Sequence, residues 1–187
     1  MKLENLYKKF GSKVVFEDFS ADVPEKQITC ILGSSGKGKS TLMNMVLGIE
    51  KQDSGKITFD GKPSFSAVFQ DNRLLPFCSA IENIKFIGAA DEESAKTMLD
   101  KVGLENEYNN LPEELSGGMQ RRLSLARALC KPNYTHLLLD EPFTGQDEQM
   151  KEQLVQLIKK EAHGKTVVII THDELLAERI ADNIIRI

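Results

Sequence analysis

The sequence predicts an α/β fold built on a parallel sheet, and three observations carry that expectation. Strand-like and helix-like segments alternate through the last third of the chain, the pattern of strands joined by crossover helices. The apolar run Ile28-Thr29-Cys30-Ile31-Leu32 leads directly into a glycine-rich loop and a short apolar helix. A second run, Leu137-Leu138-Leu139, ends in two acids, Asp140 and Glu141. Strands covered on both faces read as continuous apolar runs rather than alternating ones, as these do.

Taken in order, residues 3–23 place Val14, Phe16, Phe19, Ala21 and Val23 around Gly11-Ser12, which suggests short antiparallel strands. After the strand over 28–32 and the loop comes a helix carrying Leu42, Met43, Met45, Val46 and Leu47, closed by Gly48. Turn signals at Gln52-Asp53-Ser54-Gly55 and Asp60-Gly61 flank a strand over Lys56–Phe59, and Ala67-Val68-Phe69 is a further short strand. These strands are expected to form a small β layer beside the glycine-rich loop. From Asn72 to about Lys131 the pattern is helical. Ser79 to Ile87 is one amphipathic segment, and Asp91 caps a helix with Ala95, Met98, Leu99 and Val102 inward, ended by Gly103. Ser116 caps another, with Met119, Leu123, Ala126 and Leu129 at helical spacing, stopped by Pro132. Then follow a strand at His136–Leu139, a helix at Glu148–Ala162 with Leu154, Leu157 and Ile158 inward, a strand at Thr166–Ile170, a helix at Asp173–Ala181 and a strand at Asn183–Ile187.

The chain of 187 residues suits one domain with a real core. It divides into a β layer plus loop (about 1–69), a helical subdomain (72–131), and core strands and helices (132–187). A formal net charge of −4 argues against a general nucleic-acid binder. Arg121-Arg122 and Lys159-Lys160 read as solvated helix faces. Cys30, Cys78 and Cys130 are odd in number, far apart and in no C-x-x-C arrangement, so they read as packing residues in a reducing compartment. No apolar run approaches the roughly 20 residues that span a bilayer, and Met1 to Phe10 is too charged for a signal peptide. The expectation is a cytoplasmic protein that meets a membrane only through a partner.

The chemistry begins at Gly33-Ser34-Ser35-Gly36-Lys37-Gly38-Lys39-Ser40-Thr41, which fits G-x-x-x-x-G-K-[ST] between a strand and a helix. Glycines let the backbone curl around a phosphate, several N–H groups point inward, and the helix start adds its positive end. Lys39 would reach the β- and γ-phosphates and Ser40 would bind Mg²⁺. At the end of its apolar strand, Asp140 is placed to hold Mg²⁺ and Glu141 to orient and deprotonate water. Leu115-Ser116-Gly117-Gly118-Met119-Gln120 opens a helix with paired glycines, each unfavourable by about 1 kcal/mol against alanine in a helix interior. They make sense where a backbone must approach a ligand closely, so with Ser116 they form a second anion site. Two such helix ends in one chain suggest two molecules facing each other.

On these motifs the chain resembles the ATP-binding subunit of ATP-binding-cassette (ABC) transporters over nearly its whole length. The resemblance implies a P-loop NTPase (RecA-like) mixed sheet core, an antiparallel β subdomain and an α-helical signature subdomain. It implies ATP and Mg²⁺ as cofactors and an ATP-dependent head-to-tail homodimer, or pairing with a related cassette. In that dimer Ser116, Gly117, Gly118 and Gln120 act on the partner's ATP. It also implies integral membrane permease subunits, an extracytoplasmic solute-binding protein, and a place on the inner face of the cell membrane. By the same resemblance Gln70 touches Mg²⁺ and the attacking water, His172 contacts the γ-phosphate and steadies Glu141, Asp147 crosses the dimer interface, and Phe10 stacks on adenine. Asp71 to Pro76 and Glu141 to Thr144 look most like the importer branch serving nitrate, sulfonate, taurine and thiamine-precursor systems. The alternatives weighed are an exporter or lipoprotein-release system and a non-transport regulatory ABC ATPase. Chromosome-organising relatives need coiled-coil arms between the two glycine motifs, and none is present.

Three departures stand out. Lys37 replaces a small residue and is expected to add a cation beside the phosphates. Gly145-Gln146 replaces a small-plus-leucine pair before Asp147. The chain reaches Ile187 where relatives of this pattern continue, so a minimal cassette, or a trimmed one, without a regulatory tail is expected.

Overall fold

The computed structural model describes residues 1–88 and 90–187. Strands β1 (Lys2–Phe10), β2 (Lys13–Asp22), β3 (Ile28–Leu32), β4 (Ser54–Thr58), β5 (Phe65–Val68), β6 (His136–Asp140), β7 (Thr166–Thr171) and β8 (Asn183–Arg186) form two sheets. One is antiparallel, in the order β2-β1-β4; the other is parallel throughout, in the order β5-β6-β7-β3-β8. The helices are α1 (Lys39–Val46), α2 (Ala80–Gly88), α3 (Glu92–Lys101), α4 (Gly117–Leu129), α5 (Glu148–Glu161) and α6 (Glu174–Ile180), with a 3-10 turn over Pro112–Glu114 before α4.

The parallel sheet is apolar on both faces, and its period of two sorts the core into two layers. Cys30, Leu32, Leu137, Leu139, Val167 and Ile169 face the cluster shared with α2 to α6. The alternate residues Ile31, Leu138, Val168 and Ile170 face α1 and the antiparallel sheet, through Leu42, Met43, Leu6 and Phe16. This double cover is why the central strands show no polar alternation.

Helix starts follow the expected capping chemistry. Asp91, Ser116, Asp147 and Asp173 each accept a backbone N–H three residues on. Helix α1 is the exception: Gly38 at its start has φ +91° and offers no side-chain cap.

Two expectations about the first half are corrected. The strand at 65–68 is not part of the small β layer but an edge of the parallel sheet, paired with β6 from Phe65↔His136 to Val68↔Leu139. Its place comes from packing under α4, where the buried Ser66 hydroxyl donates to Ala128 O at 2.7 Å. The supposed turn at Ser54-Gly55 lies within β4, shifted from the expected Lys56–Phe59. Gly55 has φ +88°, and a Cβ there would come 2.3 Å from Asn5 O. The glycine therefore marks a bulge against β1, at the register shift between Glu4 and Tyr7, rather than a reversal.

Candidate active site

The phosphate loop leaves the carboxyl end of β3 and delivers α1, so the free N–H groups of α1 face the sheet edge. Ligands of open α/β sheets bind at that edge. Here it forms an open cleft of about 1140 Å³, lined by Ser34, Ser35, Gly36, Gly38, Lys39, Ser40 and Thr41 on one wall. The volume accommodates a nucleotide, being slightly above the usual range of about 300–1,000 Å³ for small-molecule sites. Gly36 has φ +81°, and the space its Cβ would point into is empty. Gly38 is held against β2, since a Cβ there would meet Val15 Cγ1 at 2.4 Å.

Lys39 is buried, and its ammonium donates to Gly33 O at 2.6 Å and Ser34 O at 3.0 Å. It has no carboxylate partner among the described residues: a buried cation answered only by neutral carbonyls, next to a cradle of N–H groups. A buried charge ordinarily requires a counter-charge, and a phosphate would supply it. The Ser40 hydroxyl donates to Asp140 Oδ2 at 2.6 Å, bringing two oxygen ligands together at the foot of the loop. No group of three or more acidic, histidine or cysteine side chains is assembled among the described residues. The Ser40–Asp140 oxygen pair suits Mg²⁺, which is usually held by one or two protein oxygens, substrate phosphates and water rather than by a protein cage. Burial pushes the Asp140 carboxyl above the ordinary range and Glu141 adds to this, against the Ser40 hydrogen bond and the charges of Arg121 and Lys39. A bound cation would reverse that cost.

Glu141 follows β6 with φ +52°, a left-handed backbone unusual for its residue type. Its carboxylate lies 2.8 Å from His172 Nδ1, and the His172 side chain is 72% exposed toward the cleft, which it lines. Gln70, Asn72, Gly117, Gly118, Arg121, Thr144 and Gly145 complete the lining, and Phe10, 48% exposed, stands at its mouth beside Lys13 and Val15. Phe10 is thus a surface aromatic and not a core one; Lys8 Nζ sits 4.7 Å from its ring centroid.

Five of the sequence-derived residues lie outside the lining: Gly33, Lys37, Ser116, Gln120 and Asp147. Lys37, expected beside the phosphates, is exposed and is not part of the cleft lining. Ser116 and Asp147 cap α4 and α5, accepting from Met119 N at 3.3 Å and Met150 N at 2.8 Å. The Gln120 amide donates to Pro112 O and Leu115 O, bracing the turn ahead of α4. The unusual Gly145-Gln146 pair has a local reason. Gly145, at φ +76°, packs on the backbone of Gly118, and Gln146 Nε2 donates to Gly118 O at 2.9 Å.

The arginines of α4 correct the solvated-face expectation. Arg121 is 4% exposed and Arg127 8%, and Arg122 donates to Val102 O and Gly103 O. The sequence carried one signal: helical spacing puts Arg122 within the arc of the core positions Met119, Leu123, Ala126 and Leu129 rather than opposite it, whereas Arg121 and Arg127 fall outside that arc.

The family model described as "ABC transporter" matches residues 16–144. The chain belongs to the ABC transporter family. This ABC ATPase is 39% identical to the aliphatic sulfonates import ATP-binding protein SsuB of Zymomonas mobilis, over 99% of this chain and 80% of that one. It is 33% identical to the arginine transport ATP-binding protein ArtM of Bacillus subtilis, over 99% of this chain and 86% of that one. A solved structure of the ATP-binding cassette MJ0796, a dimer in a post-hydrolysis state with ADP and Pi, superposes with a TM-score of 0.90 at 30% identity, covering 100% of this chain and 93% of that one. Another dimeric structure of the same cassette gives 0.85 at 31% identity. The ABC ATPase therefore binds ATP, with Mg²⁺ as the usual partner ion, and hydrolyses it to ADP and phosphate to drive transport. No helix among the described residues is long and apolar enough to cross a membrane.

Proposed function

We propose that this ABC ATPase powers an importer of small organosulfur anions, with permease subunits in the membrane and a solute-binding protein outside it. The sulfonate branch is supported by the likeness to SsuB relatives and by the run Asp71-Asn72-Arg73-Leu74-Leu75-Pro76. On this reading the chain works at the inner face of the cell membrane.

The observation that carries the mechanism is the meeting of Ser40, Asp140, Glu141 and His172 at the carboxyl edge of one sheet. Lys39 would exchange its loop carbonyls for the β- and γ-phosphates. Ser40, Asp140 and Gln70 would hold Mg²⁺, which when bound neutralises charge on the phosphates. Glu141 orients the attacking water and accepts its proton while His172 holds the carboxylate in place. Two copies would meet head to tail, so that Ser116, Gly117 and Gly118 of one, with Gln120 and Asp147 supporting that surface, cover the triphosphate of the other. Phe10 would stack on the adenine.

Glu141→Gln tests the assignment. The variant should bind Mg²⁺-ATP as the wild type does, lose at least a hundredfold in phosphate release, and accumulate as an ATP-bound dimer on size exclusion. Turnover at the wild-type rate would mean that another group is the base.

A further inference from the structure

The hydrogen-bond ladder between β5 and β6 ends at Val68↔Leu139. Directly beyond it lie Gln70 on one strand extension and Asp140-Glu141 on the other. We propose that Arg121 is a positioning residue that bridges these two extensions and sets the distance between Gln70 and Glu141 for hydrolysis. The proposal rests on the catalytic reading above for those two residues.

The guanidinium divides its donors between the two sides. Nε and Nη2 each donate to Glu141 O at 3.0 Å, and Nη2 also reaches Asp140 O. Nη1 donates to Phe69 O, to Gln70 O at 3.3 Å and to Asn72 Oδ1 at 3.0 Å. A planar fork of fixed geometry can hold two backbones at a set spacing, which a lysine ammonium on a flexible stem cannot. The side chain is buried, and no carboxylate lies within ion-pair distance of it among the described residues. Burial lowers its pKa below the ordinary arginine value, opposed by the charges of Asp140, Glu141 and Asp71. A buried cation with only carbonyl partners is a poor device for stability alone, because desolvation offsets much of its bonding.

The neighbouring arginines sharpen the assignment. Arg127 also reaches the 72–73 segment, and Arg122 reaches the end of α3, but neither touches the Asp140-Glu141 turn. Glu141 has a left-handed φ, a conformation that persists only where surrounding bonds over-determine it. Two of those bonds, both to its carbonyl, come from Arg121. Because Arg121 sits on the helix that begins at Gly117, movement of that helix is transmitted to both extensions together.

The test compares Arg121→Gln and Arg121→Lys with Gln70→Ala, and with the double variant Arg121→Gln/Gln70→Ala, in the full chain. The expected result is a loss of about a hundredfold in kcat for both Arg121 variants, with the Kd for Mg²⁺-ATP within about threefold of wild type. The double variant should lose little more than the worse single one, since both act through one element. Hydrogen exchange without nucleotide should speed up at 69–72 and 141–144 in Arg121→Lys, while β3 and β7 stay protected as in the wild type. Wild-type turnover in Arg121→Lys would overturn the proposal, by showing that charge and not the fork matters. Multiplicative losses in the double variant, or unchanged exchange at 69–72, would overturn it as well. Failure of the catalytic reading appears separately, as full turnover in Glu141→Gln, and leaves the exchange result to decide the bridge itself.

Discussion

Helices α1 and α4 both begin with glycines and both present their first turn to the cleft, yet the two ends are finished differently. Helix α1 starts at Gly38 with no side-chain cap, so its first N–H groups await a ligand. Helix α4 starts at Ser116, whose hydroxyl already accepts from Met119 N, and Gly118 is pressed against Gly145. An uncapped end beside a buried lysine is a complete anion site within one chain. A capped end braced by Gln146 is already satisfied, and what it offers a phosphate is the surface turned toward a second molecule. Under the proposed function, the contrast gives nucleotide capture to α1 and closure to α4.

The largest expected effect is at the first end. Lys39→Ala removes the buried cation and should abolish detectable Mg²⁺-ATP binding by the isolated chain in titration calorimetry. Retained binding would shift the weight to the N–H cradle. At the second end, Gly118→Ala puts a Cβ 2.7 Å from Gly145 O, which is backbone and must move. Nucleotide binding by one chain should be near wild type, while kcat falls about tenfold or more through misplaced closure. Equal loss of binding in both variants would erase the distinction between the two ends.

Smaller effects follow from charge and capping. Asp140 has a raised pKa in the fold, so its contribution is fully present below the unfolded carboxylate value of about 3.9. That contribution is lost as pH rises through the folded value. Asp140→Asn should therefore melt higher than the wild type at pH 7 without metal, by on the order of 2 °C. The gap should narrow as pH falls toward about 4, and Mg²⁺-ATP should close or invert it. The smallest change is Ser116→Ala. Its cap hydrogen bond is long, 3.3 Å, so a loss at or below about 0.5 kcal/mol is expected, seen as a Tm lower by about 2 °C or less.

Legibility in the sequence tracks how local each signal is. The phosphate loop, the two-acid strand end and the capped starts of α3 and α4 are written in adjacent residues, and each stands where the sequence placed it. Gly55 was visible but ambiguous, because a left-handed φ serves a bulge as readily as a turn. Strand β5 was visible without its partner: four residues carry no mark of which sheet they join. Arg121 was misread because a pair of arginines on a helix has the pattern of a solvated face. Its acceptors lie near residues 70 and 140, and only the fold brings them together.

The backbone at Glu141 carries a consequence of its own. A left-handed conformation at a residue with a β-carbon is unfavourable by about 1–2 kcal/mol relative to the right-handed region, a penalty glycine escapes. A chain selected only to persist would place glycine at that corner and be sturdier for it. This one keeps a glutamate there, and under the proposed role of Glu141 as the base, part of its resistance to heat is exchanged for the capacity to cleave a phosphoanhydride.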